Sequence, residues 1–516
     1  MIQRLGESWD ILIIGGGATG LGAAVDASSR GLKTLLVEQS DFAKATSSRS
    51  TKLIHGGLRY LQQGNLALVL EALRERGRLC QNAPHLIYHR AFFVPSYHWW
   101  QGPFYGVGLK IYDMLAGKLG LEPSRHLSKK DTLDALPNIA SEDLYGGTIY
   151  YDGQFDDSRL AIALALTVAD HEGVLINYMK VTGLIKKNNH VEGVILHDEE
   201  KGETHEVRAK VVINATGVFT DEVRHMDDPN EQKIIQSSQG VHIVLDGSFL
   251  ESKTAIMIPH TSDGRVLFMV PWLGKVLVGT TDTPVKKPAL EPKPLEEEIS
   301  FILKEAGKYL STLPKRSDIL SAFAGLRPLI AAEGGQKTAA LSRDHSILVS
   351  KAGLITIAGG KWTTYRKMAE DVIDKALFVG GFEERACKTR NLKLHAFLEN
   401  ADPFNHWSTY GSDKEAIDKI IKENPRLNQF LHSKLPYLKG EVVWHVREEM
   451  ARTVEDVLAR RTRSLLLDAK LAVKVAPLVA SLIAQELGFS KTWEEAQVSS
   501  FKALASNYIV SPERYS

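Results

Sequence analysis

The sequence predicts an α/β protein of three parts, and three stretches carry that expectation. Asp10 to Glu38 reads DILIIGGGATGLGAAVDASSRGLKTLLVE: an apolar strand, a glycine turn, an alanine-rich helix, a second apolar strand and an acid at its end. Gly240 to Ile355 breaks into short apolar runs separated by turns, the pattern of a mostly antiparallel sheet. Beyond Glu384 come helical segments with charged faces, such as VVWHVREEMARTVEDVLARRTR, which suit a packing or self-association domain.

The opening stretch is Rossmann-like, and each residue in it has a physical reason. Gly15 turns the chain tightly off the strand, Gly17 lets backbone N–H groups approach a pyrophosphate, and Gly20 lets the helix lie close on the sheet. Ala18 and Thr19 open a helix whose positive dipole end faces the phosphates. Glu38 follows Gly20 by about the interval at which an acid binds ribose hydroxyls, and a carboxylate there disfavours a 2′-phosphate, so FAD or NAD fits better than NADP.

The bulk numbers exclude other classes. A chain of 516 residues suggests two to four units, and 44% hydrophobic with 24% charged residues is ordinary for a soluble globular protein. A net charge of +1 selects no polyanionic partner. The two cysteines, Cys80 and Cys387, form neither a disulfide framework nor a metal site. No stretch approaches the roughly 20 apolar residues of a spanning helix, so the expected location is cytoplasmic, with attachment to a membrane surface still permitted.

After Glu38 the segment QSDFAKATSSRSTKLIHGGLRYLQQGN is dense in hydroxyl, basic and glycine residues. Such a loop suits a cofactor, its hydroxyls and N–H groups meeting phosphate and ring oxygens while Gly56 and Gly57 admit a flat ring. It runs into Arg59 and Tyr60.

The motifs GGGATG, TSSRSTKLIHGGLRYL, INATGVFTD, GLRPL, SRDH and AGGKWTTYRKMAED occur in that order. Together they resemble the FAD-dependent, quinone-linked glycerol-3-phosphate dehydrogenases, over about Asp10 to Leu377 and then a helical tail. The resemblance implies FAD as cofactor, glycerol 3-phosphate as substrate and a membrane quinone as electron acceptor. It also implies cofactor contacts from Thr46, Ser47, Ser48, Lys52, Leu53, His55 and Gly57, from Ala215 and Gly217 at a strand end, and from Gly360, Lys361 and Trp362. Oxygen-using glycerol-phosphate oxidases share nearly all these motifs, so the acceptor stays open between quinone and oxygen, the latter giving peroxide. A non-catalytic FAD-binding adaptor is the third reading, and the ionisable cluster outside the nucleotide loop speaks against it.

With that resemblance the expected domains are an FAD-binding domain of 1–90, 145–235 and 350–383, a substrate domain of 236–349 and a helical domain of 384–516, with a homodimer among the arrangements the last would accommodate. The excursion 91–144 overlaps the Arg76–Lys130 window, where eight Lys/Arg meet two acids and nine aromatics, including Trp99, Trp100 and Phe104. Interleaved rings and cations around a short apolar helix suit a lipid headgroup layer, so a monotopic membrane-surface segment on the cytoplasmic side is the expectation, with a partly buried helical excursion of the catalytic domain as the alternative; the cations are too sparse for nucleic acid.

Oxidising an alcohol with a flavin needs a base, groups that fix the substrate and positive charge near the ring. Arg327, between apolar residues in AFAGLRPLI, is a candidate phosphate clamp, with Arg59, Tyr60 and Arg343 beside it; Asp344 is an alternative partner for Arg343. Lys361 starts a helix after paired glycines, placed for the flavin's edge or the substrate. His242, in the apolar GVHIV, and His55, beside Gly56, are both candidates for the base.

Overall fold

The computed structural model describes residues 2–57, 65–331 and 345–512. Arg59, Tyr60 and Arg343 lie outside the described residues. Two sheets organise the chain. The first has a parallel core in the order Ile355–Gly359, Thr204–Asn214, Trp9–Ile14, Thr34–Val37, Val174–Ile176, with His345–Val349 antiparallel at one edge. Alternation along the strands decides its faces. Ile11, Ile13 and Leu36 pack under the helices Ala18–Ser29, Asp157–Asp170 and Tyr365–Val379, while Leu12, Ile14 and Leu35 point to the other side, against the hairpin Met179–Lys187/His190–Asp198. Both faces are covered, so Thr34–Val37 is buried at every position, as a parallel strand should be.

The second sheet has ten strands among the described residues. Its longest pairing joins Ile235–Asp246 to Ser321–Ile330 antiparallel. Opposite residues share a face, so Ser238, Gly240 and His242 stand across from Arg327, Gly325 and Phe323 in one row. This register brings His242 and Arg327, distant in sequence, to the same surface of the sheet.

Sheet membership divides the chain differently from the sequence pattern. Ile87–Ser96, which straddles the expected FAD-binding segment and the 91–144 excursion, and Gly146–Phe155, from an expected FAD-binding segment, pair with each other and join the second sheet, where Ile87–Ser96 runs parallel to Ala255–Ile258. Alternation marks a strand without saying which sheet takes it. The helix Gln101–Ala116 is thus part of the connection between two neighbouring strands of the second sheet. Arg76 and Arg90, counted in the basic window, are buried, so that surface is less cationic than the sequence suggests.

The C-terminal helices Lys439–Arg447, Ala469–Leu487 and Lys491–Ala505 share one apolar core with the second sheet, joining Val442, Val475 and Phe501 to Phe92, Tyr150 and Trp272.

Candidate active site

The glycine turn builds the head of a long cleft. Gly15 takes φ +108° and its N–H donates to the Val37 carbonyl at 2.9 Å, while a Cβ on Gly20 would lie 1.9 Å from the Gly15 oxygen. Glu38 receives N–H donors from Gly16 at 2.7 Å and Ser40 at 3.0 Å, and its burial raises its pKa. A cleft of about 1220 Å³ runs from there past Ala18 and Thr19, Thr46 and Ser47, Ala215 and Gly217, to Gly360, Lys361 and Trp362. Ser47 ties its walls together: its Oγ accepts from the Ala18 N–H at 2.9 Å and its carbonyl from Trp362 Nε1 at 2.9 Å.

At Thr46, Pro328, Gly360, Lys361 and Trp362 the cleft passes into a chamber of about 970 Å³ that holds His55, His242 and Arg327. Thr51, Leu53, His55 and Arg327 join that chamber to an outer one of about 1120 Å³, which Gly57, Arg265, Phe92 and Tyr150 also line. The structure therefore brings the cofactor glycines, Glu38, His55, His242, Arg327 and Lys361 onto one continuous cavity.

His242 is stacked on Phe323, with ring centroids 5.1 Å apart, and its Nε2 lies 3.0 Å from Thr51 Oγ1. Burial, with the nearby Lys52 and Arg327 charges, lowers its pKa well below 6.5, so the ring is neutral at neutral pH. Gly279 makes room for it, since a Cβ there would come within 2.3 Å of the ring. Arg327 donates to the Thr281 carbonyl at 3.0 Å and to Thr280 Oγ1 at 3.3 Å, and meets Asp282 at 3.3 Å.

The family model described as FAD dependent oxidoreductase matches residues 10–366, and that of the C-terminal domain of alpha-glycerophosphate oxidase matches 355–494. The chain is 42% identical to the mitochondrial glycerol-3-phosphate dehydrogenase of Mesocricetus auratus and 41% to that of Homo sapiens, in each case over 96% of this chain and 73% of the relative. The chain belongs to the FAD-dependent glycerol-3-phosphate dehydrogenase family. In that family the glycerol-3-phosphate dehydrogenase of Bacillus halodurans, solved with FAD, superposes at a TM-score of 0.81 with 30% identity over 99% of this chain and 97% of the other. The cofactor of this family member is FAD. The cleft fits it: bare glycines where backbone must approach a pyrophosphate, a helix N-terminus at Ala18, an acid at the ribose position, and a chamber at the far end for a ring.

Two residues expected at the cofactor turn elsewhere. Lys52 is wholly buried, its Nζ donating to Asp157 Oδ2 at 2.6 Å and to the Ser48 carbonyl at 2.8 Å. Burial brings its pKa down to about 7. Ser48 is buried too, its carbonyl also accepting from Arg463 Nη2 at 2.7 Å. In a loop the side chains alternate between cleft and core, and hydroxyl and basic residues read alike in sequence until their partners are known. Gly20 does not line the cleft; its bare Cα lets the helix Ala18–Ser29 lie close on the glycine turn.

Three contributions lie outside the sequence expectations. Arg265 lines the outer chamber; its Nε holds Asp263 at 2.7 Å, while its buried Nη1 has no hydrogen-bond partner among the described residues. Thr51 orients His242. The helical domain clamps the loop after Glu38: Arg460 and Arg461 pair with the buried Asp41, Lys44 meets Glu455, and Arg463 donates to Asp157 at 2.9 Å. Burial alone would raise the pKa of Asp41, but Arg461 and Arg460 hold it below the ordinary carboxylate value. The run RRTR was the available signal for these partners, since three arginines in an otherwise apolar stretch need counter-ions.

Proposed function

We propose that the protein oxidises sn-glycerol 3-phosphate to dihydroxyacetone phosphate and hands the electrons to a membrane quinone. The observation that carries this is the continuous cavity: an FAD cleft opening into a chamber with a neutral, buried histidine, flanked by Arg327, Arg265 and Lys361. In this reading Arg327 and the unpartnered Nη1 of Arg265 hold the substrate phosphate, for which forked guanidinium donors are suited. His242 Nε2, held by Thr51, takes the proton of the C2 hydroxyl; His55, on the same cavity, is the alternative base. The chemistry FAD supplies when bound is acceptance of the hydride from C2. Lys361 contributes positive charge where negative charge accumulates on reduction. Phe92 and Tyr150 give the outer chamber an apolar wall.

Quinone as acceptor is supported by an apolar surface. On the helix Gln101–Ala116, Tyr105, Leu109 and Tyr112 are buried, while Phe104, Val107, Ile111 and Met114 are exposed along the opposite side, Met114 by 81%. Trp99, 75% exposed, and Trp100 continue this stripe, and the exposed Lys110, Arg125, Lys129 and Lys130 flank it. Apolar residues rimmed by aromatics and cations suit shallow insertion among anionic lipid headgroups. No helix among the described residues is long and apolar enough to cross a membrane. The relatives are named dehydrogenases, which favours quinone over oxygen.

The test is anaerobic addition of glycerol 3-phosphate to the yellow, FAD-loaded protein. Bleaching of the oxidised flavin band is expected; a folded, flavin-replete sample that stays yellow would overturn the substrate assignment. Quinone reduction without peroxide release is then expected in air, and peroxide as the main product would assign oxygen instead.

A further inference from the structure

A second large cleft, of about 1560 Å³, lies where the first sheet's helix Asp157–Asp170, the second sheet and the C-terminal domain meet. None of its lining residues lines the FAD cleft or the two chambers. Its walls present Arg90, Arg159, Arg461, Arg463, Lys253 and Lys275 with a single carboxylate, Asp156.

Much of that charge is answered from behind. Arg159 forks onto Glu449 with two 2.7 Å bonds, and Arg461 and Arg463 hold Asp41 and Asp157. Arg90 is different. It is 5% exposed, and among the described residues its guanidinium donates only to neutral acceptors: Gln154, the Lys253 carbonyl at 2.6 Å and the Tyr88 hydroxyl at 3.3 Å. No carboxylate among the described residues lies within 4.0 Å of it or of the exposed Lys253 beside it. Both cations sit over the Phe404 ring, at 5.7 Å and 4.0 Å. A buried guanidinium without a counter-ion is costly unless an anion joins it. The cleft also holds a buried N–H donor without an acceptor among the described residues, Arg159 Nε, while Arg463 Nε lies 3.5 Å from Asp156. A cationic pair, an aromatic ring and a spare N–H donor are what an organic phosphate would need.

We propose that this three-domain cleft binds a small organic phosphate, its phosphate on Arg90 and Lys253 and its body against Phe404. The floor of the cleft reaches the reacting chamber through one carboxylate. Asp157 takes Arg463 on Oδ1, while its Oδ2 accepts from Ser50, by N–H at 3.0 Å and by Oγ at 2.7 Å. Ser50 and Thr51 line the chamber. Occupancy of the cleft therefore acts on turnover without excluding the substrate.

The experiment titrates phenyl phosphate into the FAD-loaded full-length protein by calorimetry, with inhibition kinetics alongside. Two binding events are expected, one in the active site and one in the cleft, with mixed inhibition against glycerol 3-phosphate. Arg327→Lys should weaken the first event and keep the second; Arg90→Gln and Lys253→Gln should each weaken the second by about tenfold or more, about 1.4 kcal/mol. Lys253 is exposed, so its variant decides the matter even where Arg90→Gln fails to fold. A single event lost with Arg327→Lys, purely competitive inhibition, no binding, or a second event untouched by Lys253→Gln would each overturn the proposal.

Discussion

Gly240→Ala is a sharp test of how the sheet positions Arg327. An added Cβ would lie 2.4 Å from Arg327 Nη2, 2.6 Å from Thr280 Oγ1 and 2.8 Å from Arg327 Cζ. Ordinary contact needs about 3.5 Å, so the guanidinium must retreat by about 1 Å. The backbone of Gly240 is an ordinary strand, so the strain falls on the flexible side chain and the fold should survive with a small loss of Tm. The retreat breaks the 3.0 Å bond to the Thr281 carbonyl and moves the phosphate clamp. A misplacement of that size costs about 100-fold in kcat/KM, about 2.7 kcal/mol. Steady-state kinetics with glycerol 3-phosphate, beside thermal melts of the FAD-loaded protein, measure it. If kcat/KM stays within about threefold of the parent in a folded sample, the clamp reading of Arg327 is wrong.

Other perturbations separate the remaining roles. His242→Gln should slow anaerobic flavin reduction by about 100-fold or more while changing substrate binding little, and an unchanged reductive rate would pass the base role to His55. Asp41→Asn leaves Arg460 and Arg461 facing a neutral group in a buried site and should cost about 3–5 kcal/mol and loosen FAD; denaturant melts and flavin content check both, and a fully stable, yellow variant would refute the clamp. Burial holds His85 down at about 4 and His445 at about 3, so the unfolded chain takes up these protons first. Their contribution is complete above about pH 6.5 and is lost as pH falls below it, by up to about 1.4 kcal/mol per pH unit for each. His395, raised to about 9 by its Asp413 and Asp170 partners against burial, works the other way and keeps its contribution throughout that acid range. His445→Gln should flatten the acid slope of stability; an unchanged slope would count against the shift. Trp99→Ser with Met114→Ser should release the protein from anionic liposomes without affecting flavin bleaching, and undiminished co-sedimentation would remove this stripe as the docking surface.

Much of this architecture was readable in the sequence because its physics is local. The Gly15–Gly17–Gly20 turn, the acid at Glu38 and the apolar Ile11 to Ile14 strand each satisfy a constraint within a few residues. What stayed hidden depends on pairing across the fold. Gly240 and His242 gain meaning only when their strand lands opposite Gly325 and Phe323, in one row with Arg327. Lys52 looked like a cofactor ligand because its partner, Asp157, is more than a hundred residues away. The helical tail lacks a catalytic motif, yet Arg460, Arg461 and Arg463 reach the loop behind the cofactor, which no periodicity reveals.

That reach has a consequence for biosynthesis. Asp41 meets Arg460 across 419 residues of chain. At about 5–20 residues per second, roughly 20–80 s separate the synthesis of the loop from that of its counter-ions. During that interval the glycine turn and its strands can already pair, but the loop that closes over the cofactor carries a carboxylate with no cation to bury against. Final sealing of the flavin therefore waits for the helical domain, and substitutions in RRTR would show up in cells first as pale, poorly flavinated protein.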